Sequence, residues 1–115
     1  MDSNKSASAT EGSDILFLEE LCFHGLRTFT FGLQSVCYDQ QPKQGDTSTS
    51  IWPSTIRLAY LIFEERDTIV KSLKLDGLNH PRVLELGCGV FPLASIACAL
   101  SGMEVIATDL SHVIE

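Results

Sequence analysis

The chain has 115 residues, four cysteines and a formal net charge of −7, with 15 Asp and Glu against 8 Lys and Arg. That length allows one domain with a modest core. The acidic balance argues against nucleic acid or an anionic membrane as a partner, because both call for a basic surface.

In chain order, residues 1–13 (MDSNKSASATEGS) are polar, without periodicity and without the apolar core of a signal peptide. They are expected to form a disordered tail. No apolar run reaches the length of a membrane span. Cys22, Cys37, Cys88 and Cys98 include no Cys-x-x-Cys pair, and neither they nor His24, His80 and His112 show metal-ligand spacing. A cytoplasmic location, extending to the nucleus, with reduced thiols and no metal is the corresponding expectation.

A single domain is expected over residues 14–115. Its opening, DILFLEELCFHG, mixes short apolar runs with acids and leaves helix and strand open. In LRTFTFGLQSVCYDQ, Phe29 and Phe31 alternate with Thr28 and Thr30, and Val36 and Tyr38 alternate with Ser35 and Cys37. This predicts two short strands with Gly32 as the bend or bulge. Residues 41–50 read as a polar loop, completing a strand-pair unit over 14–50. Residues 51–75 predict a helix. Pro53 suits its first turn. Ile56, Ala59, Tyr60, Phe63, Val70 and Leu73 recur at helical spacing, while Glu64 to Asp67 form a solvated face or a break.

The last unit, residues 81–115, begins with an apolar strand from Arg82 to Leu86. A tight loop from Gly87 to Val90 leads to a helix from Pro92 to Ser101, closed by Gly102. Leu93, Ile96, Ala97 and Leu100 share one face of that helix, and Cys98 reads as core. A second strand, Val105 to Thr108, ends at Asp109. Strand, glycine turn, helix and strand make a right-handed βαβ unit with a parallel sheet. The fold class is therefore α/β, a Rossmann-like parallel sheet preceded by a short antiparallel strand pair.

Such a turn makes a ligand site. Glycines admit close backbone approach, and a helix N-terminus offers free N–H groups. A carboxylate about 20 residues on, at the end of the next strand, is placed to accept from ribose hydroxyls, and Asp109 fits that role. The dinucleotide fingerprint G-x-G-x-x-G needs a third glycine where Pro92 stands. It also has no acidic residue two places before its first glycine, where this chain has Glu85.

The run ELGCG, Glu85 to Gly89, resembles motif I of the class I, seven-β-strand, S-adenosylmethionine-dependent methyltransferases. With IWPSTIRLAYLI upstream, its Trp52–Pro53 pair opening the helix, the chain is similar to the protein-lysine methyltransferase branch. The resemblance implies that Gly87 and Gly89 line the methionine part of the cofactor, that Glu85 sits beside its amino group, and that Asp109 holds its ribose. It also implies that Trp52 lies near the cofactor or covers the pocket; an aromatic core anchor is the other reading of that residue.

Cys88, between the glycines, lies where a helix N-terminus can lower a thiol pKa. Without a base partner, the plainer reading is a small residue tolerated in the loop. His112 reads as a surface residue. Phe91 stands where the family has its third glycine. A positive φ there would be strained, which implies a variant loop.

The match covers the N-terminal portion of such a domain. The expected function is S-adenosylmethionine-dependent methylation of a protein lysine, with the 115-residue chain inactive by itself and no catalytic residue assigned. Open strand edges would invite a partner chain. A non-catalytic interaction fragment and a small-molecule methyltransferase stay open as alternatives.

Overall fold

The computed structural model describes residues 20–114. The expected tail and residues 14–19 lie outside the described residues; at the start of those described, the Phe23 N–H donates to Glu20 O. β1 (Gly25–Phe31) and β2 (Gln34–Gln40) pair antiparallel, with Phe31 opposite Gln34. The connection is therefore two residues, Gly32 and Leu33. Gly32 has φ +63°, as the first central position of a tight hairpin turn requires. The period-2 pattern sends Phe29 and Phe31 into the core and Thr28 and Thr30 outward, where Thr30 Oγ1 lies 3.0 Å from Ser35 Oγ.

Gln40, at the end of β2, is completely buried. Its amide stays satisfied by bonding to three different segments. Nε2 donates to the carbonyls of Glu20 (2.9 Å) and Phe23 (3.1 Å). Oε1 accepts from the Ile51 N–H (3.0 Å) and from Arg27 Nη1 (3.1 Å). A buried amide so bonded specifies where its partners lie. Here it holds the approach to the next helix against the hairpin.

The helix expected over 51–75 is instead two. α1 (Pro53–Glu64) and α2 (Arg66–Ser72) are separated by Glu65 at φ −109°, ψ 26°. The break falls within the charged run Glu64–Asp67. There Arg66 donates through Nε to the Ser101 carbonyl, which ties the start of α2 to the end of α3. Pro53 occupies the first turn, where its missing N–H costs nothing.

β3 (Arg82–Leu86), α3 (Leu93–Leu100) and β4 (Glu104–Thr108) form the βαβ unit, with β3 and β4 parallel and Glu85 opposite Ala107. α3 ends at a glycine cap. Gly102 takes φ +84° while its N–H donates to Ala99 O, and the Met103 N–H donates to Cys98 O, the two bonds of a Schellman motif. A short α4 (Ser111–Ile114) follows.

The core lies between the hairpin, α1 and α3. Phe29, Phe31, Ile51, Ala59, Leu93 and Ala97 are buried together. Ala59 and Ala97 are fully covered, and their small side chains allow the two helices to pack closely. The Phe31 ring meets Tyr60 at 4.9 Å and the edge of Phe63 at 5.5 Å. Burying a ring of this size stabilises by about 1.5–3 kcal/mol. The opposite face of the β3–β4 pair remains open among the described residues: Leu84, Leu86 and Ile106 are 61%, 77% and 57% exposed.

Candidate functional site

β3 delivers Glu85 and then the glycine loop to the carboxyl end of the parallel pair. Gly87 and Gly89 both take positive φ, +69° and +76°, so the turn reverses twice at positions where a side chain would be strained. Three successive N–H groups of this loop are bound within the protein. Cys88 donates to Thr108 O at 3.0 Å, Gly89 to Asp109 Oδ2 at 2.8 Å, and Val90 to Ser48 O at 3.0 Å. Asp109 also accepts the Leu110 N–H through Oδ1, at 2.7 Å. These two backbone bonds, Gly89 first, hold its carboxyl below the usual carboxylate range.

The strap running from residue 45 to 52 forms the facing wall. Asp46 starts a 3-10 turn (Thr47–Thr49) by accepting the Ser48 N–H (3.0 Å) and hydroxyl (2.5 Å). Those bonds, side chain first, keep its carboxyl low as well. Trp52 caps α1, is 39% exposed, and donates from its indole nitrogen to Thr47 O at 3.1 Å. It thus stands on the cavity wall, and the core-anchor reading of this residue does not hold.

Together these segments enclose a cavity of about 370 Å³, lined among others by Asp46, Trp52, Glu85, Gly87, Cys88, Gly89, Asp109 and His112. All six residues singled out from the sequence line it: Trp52, Glu85, Gly87, Cys88, Gly89 and Asp109. Cys88 and Phe91 are each explained by their surroundings. Burial, followed by the Glu85 and Asp109 charges, pushes the Cys88 thiol up rather than down. Helix α3 begins only at Leu93, too far along the chain for its N-terminus to activate Cys88. Phe91 does not take positive φ. It stacks on Tyr38 at 4.9 Å with a 12° tilt, and the Tyr38 hydroxyl donates to Thr49 O at 2.8 Å. The aromatic side chain thereby ties glycine loop, hairpin and strap together.

The residues that sequence reasoning missed are Asp46 and Ser48 of the strap. Their signal is an Asx-type cap, an Asp two places before a Ser. His112 is exposed, as its surface reading had it, and sits at the cavity mouth. Among the described residues no cluster of His, Cys, Asp and Glu could hold a metal, and no helix is long and apolar enough to cross a membrane.

The chemistry of the lining is selective. The Cys88, Gly89 and Val90 N–H groups are already engaged, which disfavours cradling a pyrophosphate as a dinucleotide loop does. The lining holds three carboxylates and no Lys or Arg, which favours a ligand carrying positive charge over an anionic one.

No curated protein gives a significant match to the chain. A family model described as lysine methyltransferase matches residues 34–115, more than half of the chain and all of the cavity wall. With its parallel βαβ unit, glycine loop and strand-end carboxylate, the chain belongs to the lysine methyltransferase family.

Proposed function

We propose that the cavity binds S-adenosylmethionine and that the protein serves methyl transfer to a protein lysine. One observation carries the cofactor reading: a glycine loop whose Cys88, Gly89 and Val90 N–H groups are engaged within the protein, set among Glu85, Asp109 and Asp46. That combination suits a neutral ribose and a cationic amino acid, which this cofactor joins. The residues fit the group. Asp109 uses one lone pair on each oxygen internally, leaving others for ribose hydroxyls. The Glu85 carboxylate is available to an ammonium. A Cβ at Gly87 would meet nothing within 4 Å, so the loop backbone is open to close approach there. Trp52 supplies an apolar wall, and Cys88, held as a neutral thiol, supplies a small one.

When bound, S-adenosylmethionine supplies an electrophilic methyl group on a sulfonium. Displacement at that methyl depends on in-line placement more than on acid–base help, which suits a site built of walls rather than of a nucleophile–base pair. The lysine acceptor is supported by the family description and by the acidic balance of the chain, −7, which suits a basic protein partner. A second reading, non-catalytic docking through the β3–β4 sheet, is favoured by the exposed Leu84, Leu86 and Ile106.

Calorimetric titration with S-adenosylhomocysteine tests the proposal, with Asp109→Ala as control. Binding that the substitution weakens is expected, with transfer of label from radioactive donor to lysine in a protein extract once a partner or further segment completes the sheet. A folded chain that binds no S-adenosylhomocysteine would leave only the docking reading. Label recovered on a small molecule instead of lysine would overturn the acceptor assignment.

A further inference from the structure

Glu85, next to last in β3, borders the cavity, and something must aim its carboxylate. Ser95, in the first turn of α3, is 6% exposed and does not line the cavity. A helical Ser commonly bonds back to the carbonyl four residues earlier, as Ser101 does to Ala97 O at 2.7 Å. The Ser95 hydroxyl instead crosses to the strand and donates to Glu85 Oε1 at 2.5 Å, within the range of a charge-assisted bond. The Glu85 main chain is held too, since Thr108 Oγ1 donates to its carbonyl at 2.8 Å. One carboxylate oxygen is therefore committed to α3, while Glu85 still borders the cavity.

We propose that Ser95 is a positioning residue. It fixes the Glu85 rotamer, so that the second carboxylate oxygen meets the cationic amino group of the cofactor's amino-acid moiety. The inference rests on the S-adenosylmethionine reading above. Without the hydroxyl, Glu85 loses its anchor and must be ordered by the ligand, which lowers affinity for the amino-acid end alone.

The test compares two ligands on the full chain by calorimetry: S-adenosylhomocysteine, and 5′-methylthioadenosine, which lacks the amino-acid group. Ser95→Ala should weaken the first by about fivefold, the loss of one hydrogen bond's worth of order, and leave the second unchanged. Ser95→Thr, which restores a hydroxyl, should recover the loss. Ser95→Cys keeps the volume without a strong donor and should repeat the selective loss, even where alanine compromises folding. Unchanged S-adenosylhomocysteine affinity in Ser95→Ala and Ser95→Cys would overturn the assignment, as would an equal loss for both ligands. A folded wild-type chain that binds neither ligand removes the cofactor reading itself, and the inference with it.

Discussion

Gly87 and Gly89 have the same backbone requirement but different surroundings. A Cβ on Gly87 would meet open space, whereas one on Gly89 would stand 3.1 Å from the Ser48 carbonyl oxygen. That oxygen also accepts the Val90 N–H, so it cannot retreat without breaking the link between strap and loop. A left-handed conformation costs a non-glycine residue about 1–2 kcal/mol. Gly87→Ala should lose that amount in urea unfolding, and Gly89→Ala clearly more. Equal losses would mean the strap yields freely. The same loop sets a pH dependence. The Asp109 carboxyl is held low, chiefly by the Gly89 N–H and then by that of Leu110. A depressed folded pKa contributes stability that is full above the unfolded value, about 3.9, and is lost as pH falls through the folded value. Melting temperatures of wild type and Asp109→Asn should therefore run in parallel from pH 7 to 5 and converge below pH 4. A gap that does not narrow at all as pH falls below 4 would place the effect of Asp109 elsewhere.

At the scale of elements, the two helix ends that use the same motif differ in chemistry. Beyond α3, the left-handed position is Gly102; beyond α2 it is Lys74, at φ 58°. There the Leu75 N–H donates to Val70 O at 2.8 Å, and the Lys74 N–H donates to Lys71 O at 3.1 Å. Lysine holds the conformation at a steric cost that glycine avoids. After allowing for the greater freedom of glycine in the unfolded chain, Lys74→Gly should stabilise by about 0.5–1 kcal/mol. Chemical denaturation measures this directly, and a destabilised variant would mean that the lysine side chain has a compensating contact. The α1–α2 break belongs to this scale as well. Periodicity continues across Glu65, but Arg66 bonds to the far end of α3, a partner that no local pattern announces.

For the molecule as a whole, the parallel pair is covered on one side only among the described residues. α3 lies against Val83 and Glu85, while Leu84, Leu86 and Ile106 face outward. Parallel sheets are stable when both faces are covered, and an open apolar face with free strand edges favours association. Sedimentation equilibrium should show the average mass rising with concentration, and Leu86→Lys should suppress the rise. Because Leu86 is already exposed, its melting temperature should barely move. A monomeric wild type would show that the open face is not sticky enough to matter.

Much of this was legible from local pattern alone. Alternation located both hairpin strands, and Gly32 marked their turn, because side-chain period and φ preference act over a few residues. The limits of β3 and the sites of both loop glycines followed from an apolar run ending in small residues. Glu85, Gly87, Gly89 and Asp109 could be named as a set because their spacing along a βαβ unit is itself local geometry. What needed tertiary structure was every bond between distant segments. The strap from Asp46 to Trp52 becomes a cavity wall only because Gln40 and Ser48 fasten it to hairpin and loop. Phe91 escapes strain because its φ is not positive, and its ring finds a place by stacking on Tyr38. Cys88 gains a raised pKa rather than a lowered one because burial and two carboxylates outweigh a helix that starts too late. Ser95 is an ordinary helical serine in the sequence; its link to Glu85 exists only because α3 packs across β3. Short-range sterics and periodicity are written in neighbouring residues, whereas electrostatic environment and side-chain aim depend on what folding brings near.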